Sequence, residues 1–270
     1  MISLNATGAT SAASYYLDQN NRNLQKSLAK LSSGFRINSA VDDPGGLAVS
    51  MKLSASIRRT DAVITNVGNA LSFLETQDGV LTVASSIVLR MSELAVSASD
   101  ESVSSSDTAL YNTEFTALKT DLANLLNEDF NGISLFKTAG TSLSVVTSES
   151  GSQAVDITQA KLETTSTLLA GKSIDTVANA TTASSSIDTA IQNIAVLRAT
   201  NGAEQSRLTF AQEILSVNRT NLEAANSRIM DVDIAEESTN YARLRIIQEA
   251  GLAVLAQANT STSSLLRLLE

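Results

Sequence analysis

Residues 64–97 read ITNVGNALSFLETQDGVLTVASSIVLRMSELAVS and carry an apolar residue at every seventh position. The residues that share this spacing are Val67, Leu74, Leu81, Val88 and Ala95. Between Pro44 and about Ser97 no further proline interrupts the pattern, so the sequence predicts one long helix there. Helices of ordinary globular proteins are much shorter, and a seven-residue repeat is typical of a face that packs along another long helix.

A second repeat of the same period lies in the C-terminal half of the chain. It predicts a helix that resumes near Ser186, and its members are Ile187, Ile194, Asn201, Leu208, Leu215, Leu222 and Ile229. Asn201 is its only polar member, which is either a buried residue that fixes the register of the helices or a partly exposed one. The two repeats can bury their faces by meeting each other or by meeting neighbouring molecules. The predicted fold is therefore mainly α, with long helices that pack side by side.

Both ends of the chain continue the apolar helical spacing. Ser32-Ser33-Gly34 supplies a stop for the first helix, and the last one is predicted from about Asp233 to Leu269. Residues 251–269 contain a single charge, although chain ends are normally polar. Such ends imply docking inside the molecule or burial against other molecules. The candidate self-assembly residues are Leu17, Leu24, Leu28, Leu31, Ile234, Tyr241, Leu244, Leu252, Leu255, Leu265 and Leu268.

The middle of the chain changes in character. Asn131-Gly132 is a turn signal, and residues 143–146 and 155–157 favour short strands. We therefore predict a small insert of strands and loops, with a β-hairpin, from Asn131 to about Ser185. The predicted divisions are 1–41 for the first helix and its connector, 42–130 for the following N-terminal helices, 131–185 for the insert, 186–231 for a long C-terminal helix, and 232–270 for the last helix.

Composition excludes most catalytic chemistry. The 270 residues include no Cys, His or Trp and one Pro, so thiolate and imidazole sites are impossible. Asp42-Asp43 and Glu236-Glu237 could serve as paired carboxylates, but both pairs stand at predicted helix starts, where capping is the simpler interpretation. The net charge of -9 argues against nucleic acid as a partner. We therefore expect no enzyme activity, no cofactor and no metal.

Charge and hydropathy patterns add expectations about the surroundings of the protein. Arg22, Lys26 and Lys30 form a basic stripe on the first helix, which is either a solvated face or a surface that pairs with acidic groups of a neighbouring subunit. The first residues show no signal-peptide pattern, and no window approaches 18 consecutive apolar residues. Neither a cleaved signal peptide nor membrane insertion is expected.

Several segments together resemble the bacterial flagellins. Residues 24–53, LQKSLAKLSSGFRINSAVDDPGGLAVSMKL, are similar to the N-terminal signature of that family. Residues 89–96, 129–136 and 254–259 are similar to further flagellin segments, in the order of the family. The resemblance covers roughly residues 1–136 and 186–270, so the chain looks like a short flagellin with a reduced central region. The resemblance implies a long antiparallel helical bundle or coiled coil made from the paired N- and C-terminal regions, in which residues 42–130 and 186–231 form a rod. It implies a structural subunit that is exported unfolded through a type III apparatus and polymerises into the extracellular flagellar filament for motility. A hook–filament junction protein is the alternative.

The resemblance also implies partners. They are other flagellin subunits, hook-associated and cap proteins, and a cytoplasmic export chaperone that covers the C-terminal helix. The residues that match positions read by a vertebrate innate immune receptor in related flagellins are Arg90, Glu93, Leu94 and Glu114, whereas Leu89 and Ser92 depart from that pattern. A purely structural role of these residues along the rod is the interpretation we favour.

Overall fold

The computed structural model describes residues 2–136 and 142–267. Its elements in chain order are α1 (Ile2–Ser33), α2 (Pro44–Ala98), α3 (Ser105–Asn124) with a 3₁₀ turn at Leu125–Asn127, β1 (Asp129–Phe130), β2 (Ile133–Ser134), β3 (Ser142–Val146), β4 (Ala154–Thr158), α4 (Leu162–Ala170), α5 (Val177–Met230) and α6 (Ile234–Arg267). The chain forms two compact units, which we call the terminal unit (residues 1–56 and 221–270) and the central unit (residues 57–220). The mainly helical fold with a small β insert is thereby confirmed.

The central unit is built around the two seven-residue repeats, except for Leu222 and Ile229, which belong to the terminal unit and are half-buried. Val67, Leu74, Leu81, Val88 and Ala95 of α2 are completely buried, and Ile187, Ile194, Leu208 and Leu215 of α5 are at most 3% exposed. Both sets belong to one continuous apolar cluster, which Phe115 and Leu122 of α3 also join. Because the repeats bury their faces against each other, this unit holds a core of its own.

Asn201 is buried in that core and only 2% exposed, so the interpretation as a partly exposed residue is wrong. Its Nδ2 donates to the Leu74 carbonyl oxygen at 3.1 Å and to Gln77 Oε1 at 2.8 Å, and its Oδ1 accepts from Gln205 Nε2 at 2.6 Å. Gln77 Nε2 in turn donates to the Leu135 carbonyl oxygen at 2.7 Å. Any other register of α2 and α5 would leave the buried Asn201 amide without these partners. An unpaired buried polar group is costly, so the bonds favour this register.

The insert contains two separate hairpins. β1 and β2 pair antiparallel through the two-residue turn Asn131-Gly132, whose φ angles are 53° and 77°. Positive φ at both turn residues is the geometry that asparagine and glycine tolerate best. β3 and β4 pair antiparallel as well, with Leu143 opposite Ile157. The predicted turn and strands are confirmed.

The prediction that residues 131–185 are only strand and loop is wrong. α4 lies in this range, and α5 begins at Val177 rather than near Ser186. Residues 177–186 are almost all Ala, Ser and Thr, and their spacing gives no large apolar signal. Ala180 and Ala183 are nevertheless completely buried. Small side chains permit close helix packing without producing a recognisable hydrophobic period.

α2 begins at a side-chain cap. Asp43 Oδ1 accepts from the Gly46 backbone N–H at 2.8 Å, and Pro44 occupies the first helical position. Asp42 Oδ2 accepts from the backbone N–H groups of Asn38 and Ser39 and closes the preceding connector. These bonds, with the hydroxyl of Ser39 as the largest contributor, hold the pKa of Asp42 below its ordinary value. The structural interpretation of this carboxylate pair is confirmed.

By length and average hydropathy, one of the described helices, α2, could span a membrane. This differs from the expectation based on uninterrupted apolar runs, because an average tolerates scattered polar residues. The core helix of a folded unit has the same composition, and the heptad side chains of α2 are buried inside the protein. The apolar composition of α2 is explained by that packing.

Candidate self-assembly surface

α1 and α6 form an antiparallel pair in the terminal unit. Asn20 Nδ2, which is buried, donates to the Leu244 carbonyl oxygen at 2.9 Å. Two helical turns further along α1, Ser27 Oγ donates to Glu237 Oε1 at 2.5 Å. The residue numbers rise along α1 as they fall along α6, so the helices run in opposite directions. The two ends of the chain therefore meet, which is one of the two alternatives that the apolar spacing left open.

Glu237 is the charged anchor of this pair. Burial by itself would raise the pKa of its carboxyl group, but hydrogen bonds from Ser27 and Asn240 and the nearby Lys30 ammonium outweigh burial and lower the pKa. The Lys30 Nζ lies 3.9 Å from Glu237 Oε2. The capping interpretation is wrong for Glu237, because Asp233 Oδ1 accepts from the backbone N–H groups of Ala235 and Glu236 and supplies the cap. The Glu237 carboxylate instead links the two helices.

Gly251 lets the helices approach closely near the other end of the pair. A Cβ atom at this position would lie 2.8 Å from Leu17 Cδ1, which is closer than van der Waals contact permits. Leu17 is half-buried at this point. Its partial burial therefore depends on the missing side chain of Gly251.

The two connectors of the terminal unit pair with each other. Phe35 and Asp231 form an antiparallel bridge, the Arg36 backbone N–H donates to the Met230 carbonyl oxygen at 2.6 Å, and the Val232 N–H donates to the Gly34 carbonyl oxygen at 3.0 Å. The Arg36 side chain also donates to the Ile229 carbonyl oxygen at 2.8 Å. Gly34 has a φ of 75°, a conformation that glycine adopts at helix ends without strain. This bridge sets where α1 ends and α6 begins.

The terminal unit has very little apolar core of its own. Of the 30 buried hydrophobic residues in the described part of the chain, Ile37 and Leu244 are the two that lie in it. Twelve of its described large hydrophobic side chains are exposed: Tyr15, Tyr16, Leu28, Phe35, Val41, Val49, Met51, Ile234, Ile246, Ile247, Leu252 and Val254. Exposed apolar surface of this extent marks a site of association.

The predicted assembly residues occupy different environments. Leu244 is buried, Leu17, Leu24, Leu31, Tyr241 and Leu255 are half-buried, and Leu28, Ile234 and Leu252 are exposed. The side chains of Leu265 and Leu268 lie outside the described residues. Packing between α1 and α6 thus accounts for most of the predicted assembly residues, and the exposed ones remain available to a partner. Their role in assembly stays a prediction.

Sequence reasoning missed several exposed apolar residues of this surface. Tyr15 and Tyr16 stack edge to face at 5.8 Å between ring centroids and are each more than 60% exposed. Ile246, Ile247 and Val254 of α6 are exposed as well. All five lie beside the face through which α1 and α6 contact each other rather than on it. The sequence did contain a signal for these residues. The number of large apolar residues per turn in α1 and α6 exceeds what one partner helix can cover.

Two residues of the basic stripe of α1, Lys26 and Lys30, find partners within the chain. Lys30 pairs with Glu237, and Lys26 Nζ lies 3.9 Å from Asp42 Oδ1. Lys26 is 63% exposed, so this pair contributes little. Over residues 2–136 and 142–267 no three acidic side chains converge as metal ligands would.

The charged residues that match receptor-reading positions form an ion-pair cluster in the central unit. Arg90 Nε donates to Glu114 Oε1 at 2.8 Å, and Arg90 Nη1 donates to Glu93 Oε2 at 2.8 Å. Both carboxylates raise the pKa of the guanidinium, and Glu114 has the larger effect. Arg90 and Glu114 are accessible, but Leu94 is buried at 3% exposed. Leu94 therefore belongs to the core, and the link between α2 and α3 supports the structural interpretation.

Comparison with known proteins gives consistent matches over most of the chain. The family described as the bacterial flagellin N-terminal helical region matches residues 4–142, and the bacterial flagellin C-terminal helical region matches residues 184–269. The stretch between them contains β3, β4, α4 and the first turns of α5. Both halves of the paired architecture are thus recognised independently of the insert.

Individual relatives extend over nearly the whole length. A flagellin of Halalkalibacterium halodurans is 38% identical over 248 residues, 91% of each chain, and the flagellin FlaB2 of Treponema pallidum is 34% identical over 270 residues, 94% of each. The flagellar filament 33 kDa core protein of Treponema phagedenis is 33% identical over 94% of each chain.

Solved structures share the fold. The crystal structure of Bacillus cereus flagellin matches with a TM-score of 0.52 and 29% identity, covering 60% of this chain and 94% of that one. A putative flagellar hook-associated protein from Vibrio parahaemolyticus matches with a TM-score of 0.60 at 15% identity over 70% of this chain and 100% of that one, which shows a shared fold only.

Proposed function

Since the chain belongs to the bacterial flagellin family, we propose that it is a structural subunit of the flagellar filament whose terminal unit is completed by other copies. The observation that carries this function is the imbalance in the terminal unit, which buries two large hydrophobic residues and exposes twelve among its described side chains. The relatives that are named as filament core proteins support the same function. A hook–filament junction protein is not favoured, because its support is similarity of fold alone.

Assembly and folding of the ends are coupled in this mechanism. Ordering a backbone costs about 1–2 kcal/mol per residue. Among the described side chains of α1 and α6, Leu244 is the one hydrophobic residue that is buried. Neighbouring copies supply the missing apolar surface, so the ends become stable on polymerisation. Contacts between unlike faces of successive copies propagate into an open helix rather than closing a ring. A filament is the expected product.

Hydrogen exchange on monomer and filament tests the coupling. The backbone amides of α1 and α6 are expected to exchange rapidly in the monomer and slowly in the filament. The amides around Val67, Leu74 and Leu81 serve as an internal control, because their burial predicts slow exchange in both states. Strong protection of both terminal helices in the monomer would refute the mechanism.

A pair of variants tests whether the exposed apolar surface drives assembly. Ile246 in the terminal unit and Leu110 in the central unit are 66% and 67% exposed. Ile246→Ser should block fibre formation in ammonium sulfate, as seen by electron microscopy, since the salt drives apolar burial. Leu110→Ser is the control, which should still form fibres. Normal fibres from Ile246→Ser would contradict the assignment of the surface.

The same terminal surface is proposed to bind the other partners of a filament subunit. Before export, the apolar side of α6 around Leu252 and Val254 suits a groove-forming cytoplasmic chaperone, and after export it suits hook-associated and cap proteins of like architecture. Export without a cleaved signal peptide is part of this proposal. Leu252→Ser and Val254→Ser should weaken capture of the candidate chaperone in a binding assay with purified proteins.

A further inference from the structure

The chain contains two Asn-Gly sequences in opposite environments. Asn131-Gly132 forms the exposed tip of the β1–β2 hairpin. Asn201-Gly202 lies inside α5, where the Asn201 side chain is buried and hydrogen-bonded to Leu74, Gln77 and Gln205. The same dipeptide is therefore exposed to solvent at residues 131–132, whereas at residues 201–202 its asparagine side chain is buried.

We propose that Asn131 is a site of spontaneous deamidation that marks the age of the molecule, and that Asn201 is held unreactive by the fold. Glycine is the following residue in both cases, so no side chain hinders approach of its nitrogen to the asparagine carboxamide. The difference between the two sites must then come from structure.

The reaction needs no reagent except water. The Gly132 nitrogen attacks Asn131 Cγ and gives its proton to solvent, so that a N–Cγ bond forms. The Cγ–Nδ2 bond then breaks, and the departing nitrogen takes a proton from solvent and leaves as ammonia. Water then opens the resulting five-membered succinimide at either carbonyl, which yields aspartate or isoaspartate. The net change is amide plus water to carboxylic acid plus ammonia, without oxidation or reduction.

The contacts of the hairpin leave both reacting groups available. The Gly132 N–H makes one long hydrogen bond, 3.3 Å to Asp129 Oδ1, rather than a bond in a strand ladder. No hydrogen bond from residues 2–136 or 142–267 restrains the Asn131 carboxamide. In α5 the Gly202 N–H lies inside a continuous helix, where backbone donors bond to the carbonyl four residues earlier. Reaction at Asn201 must therefore wait for local opening of α5.

The modification would change the charge of an exposed hairpin. Each event adds a carboxylate next to Asp129 on a chain that already carries a net charge of -9. A subunit outside the cell has no cytoplasmic repair and no replacement by resynthesis, so modified molecules would accumulate in proportion to time since export.

Peptide mapping by mass spectrometry tests the proposal on the purified full-length protein during incubation in mildly alkaline buffer. We expect aspartate and isoaspartate at position 131 and a rate at least about tenfold higher than at position 201, since the slower site requires an opening step. In denaturant the two sites should react at similar rates. Asn131→Gly keeps a turn-compatible residue and should abolish most of the ammonia released by the folded protein.

Two results would overturn the proposal. One is an Asn131 that reacts in the folded protein more than about tenfold slower than in denaturant, which would show that the hairpin protects it. The other is equal loss at Asn131 and Asn201 in the folded protein. Because neither readout involves polymerisation, failure here is distinguishable from failure of the filament function.

Discussion

Gly79 and Gly251 are both helical glycines, but a side chain would meet different surroundings at each. A Cβ at Gly79 has no atom within 4 Å among the described residues, whereas one at Gly251 meets Leu17. Gly79→Ala should stabilise the monomer by about 0.5–1 kcal/mol, because alanine loses less backbone entropy in a helix. Thermal unfolding of the monomer measures this gain.

Gly251→Ala should not raise the thermal stability of the filament. The Leu17 side chain has to shift away from the new methyl group, and the lost packing offsets the higher helix propensity. Thermal depolymerisation followed by circular dichroism compares the variant with wild type. A rise in melting temperature comparable to that of Gly79→Ala in the monomer would contradict the close approach of α1 and α6.

The lowered pKa of Glu237 predicts a pH dependence of the terminal pairing. A carboxyl group whose pKa is lower in the folded state stabilises that state above its unfolded pKa, and the contribution is lost as the pH falls through the folded value. The α1–α6 pair should thus weaken on acidification from about pH 4.5 downwards. The midpoint of acid depolymerisation, followed by light scattering, measures it.

A matched pair of variants isolates the Glu237 contribution. Glu237→Gln should reduce the acid sensitivity of filaments, because the amide does not titrate. Glu236→Gln, one residue earlier and exposed, should leave the acid midpoint near that of wild type. Equal midpoints for all three proteins would show that Glu237 does not link the helices in the filament.

At the scale of elements, Asn201 connects α2 with α5. Asn201→Leu removes the partner of the buried Gln77 carbonyl group and should destabilise the monomer by about 1–3 kcal/mol. Denaturant unfolding measures the loss, and Gln192→Leu on the exposed side of α5 is the control, expected within about 0.5 kcal/mol of wild type. Stability unchanged by Asn201→Leu would mean that apolar packing alone sets the helix register.

The extent to which elements could be predicted depended on the size of their side chains. α2 and the Asn131-Gly132 hairpin followed directly from large apolar residues at fixed spacing and from a turn with one favoured geometry. The start of α5 could not be predicted, because Ala180 and Ala183 pack without a hydrophobic period. α4 was missed for another reason, since nine residues are too few to establish a helical period.

The candidate surface was predictable in position but not in detail. Leu17, Leu24 and Tyr241 were found on the α1–α6 seam, where spacing is informative. Exposed residues beside the seam, such as Tyr15 and Ile246, could not be separated from buried ones, since their environment depends on how many partners surround the helix. Glu237 was misassigned because a carboxylate at a helix start has the same sequence pattern whether it caps the helix or bonds to another helix.

At the scale of the whole molecule, the location of the core predicts that the central unit folds without the ends. All 28 residues of the described main apolar cluster lie between positions 57 and 220. A fragment of residues 57–220 should unfold cooperatively at a temperature close to that of the full monomer, yet fail to form fibres or to enter growing ones. Calorimetry and electron microscopy give the two readouts, and an unfolded fragment would contradict this division of the chain.

The bond between Asn20 and the Leu244 carbonyl joins residues that are 224 positions apart. During synthesis the ribosome therefore releases the first partner long before it makes the second. A nascent or prematurely stopped chain has α1 but no α6, and so it has half of the terminal pair. Under the proposed assembly, translation through α6 is a condition for incorporation, so we expect incomplete subunits to be rejected without any dedicated proofreading factor.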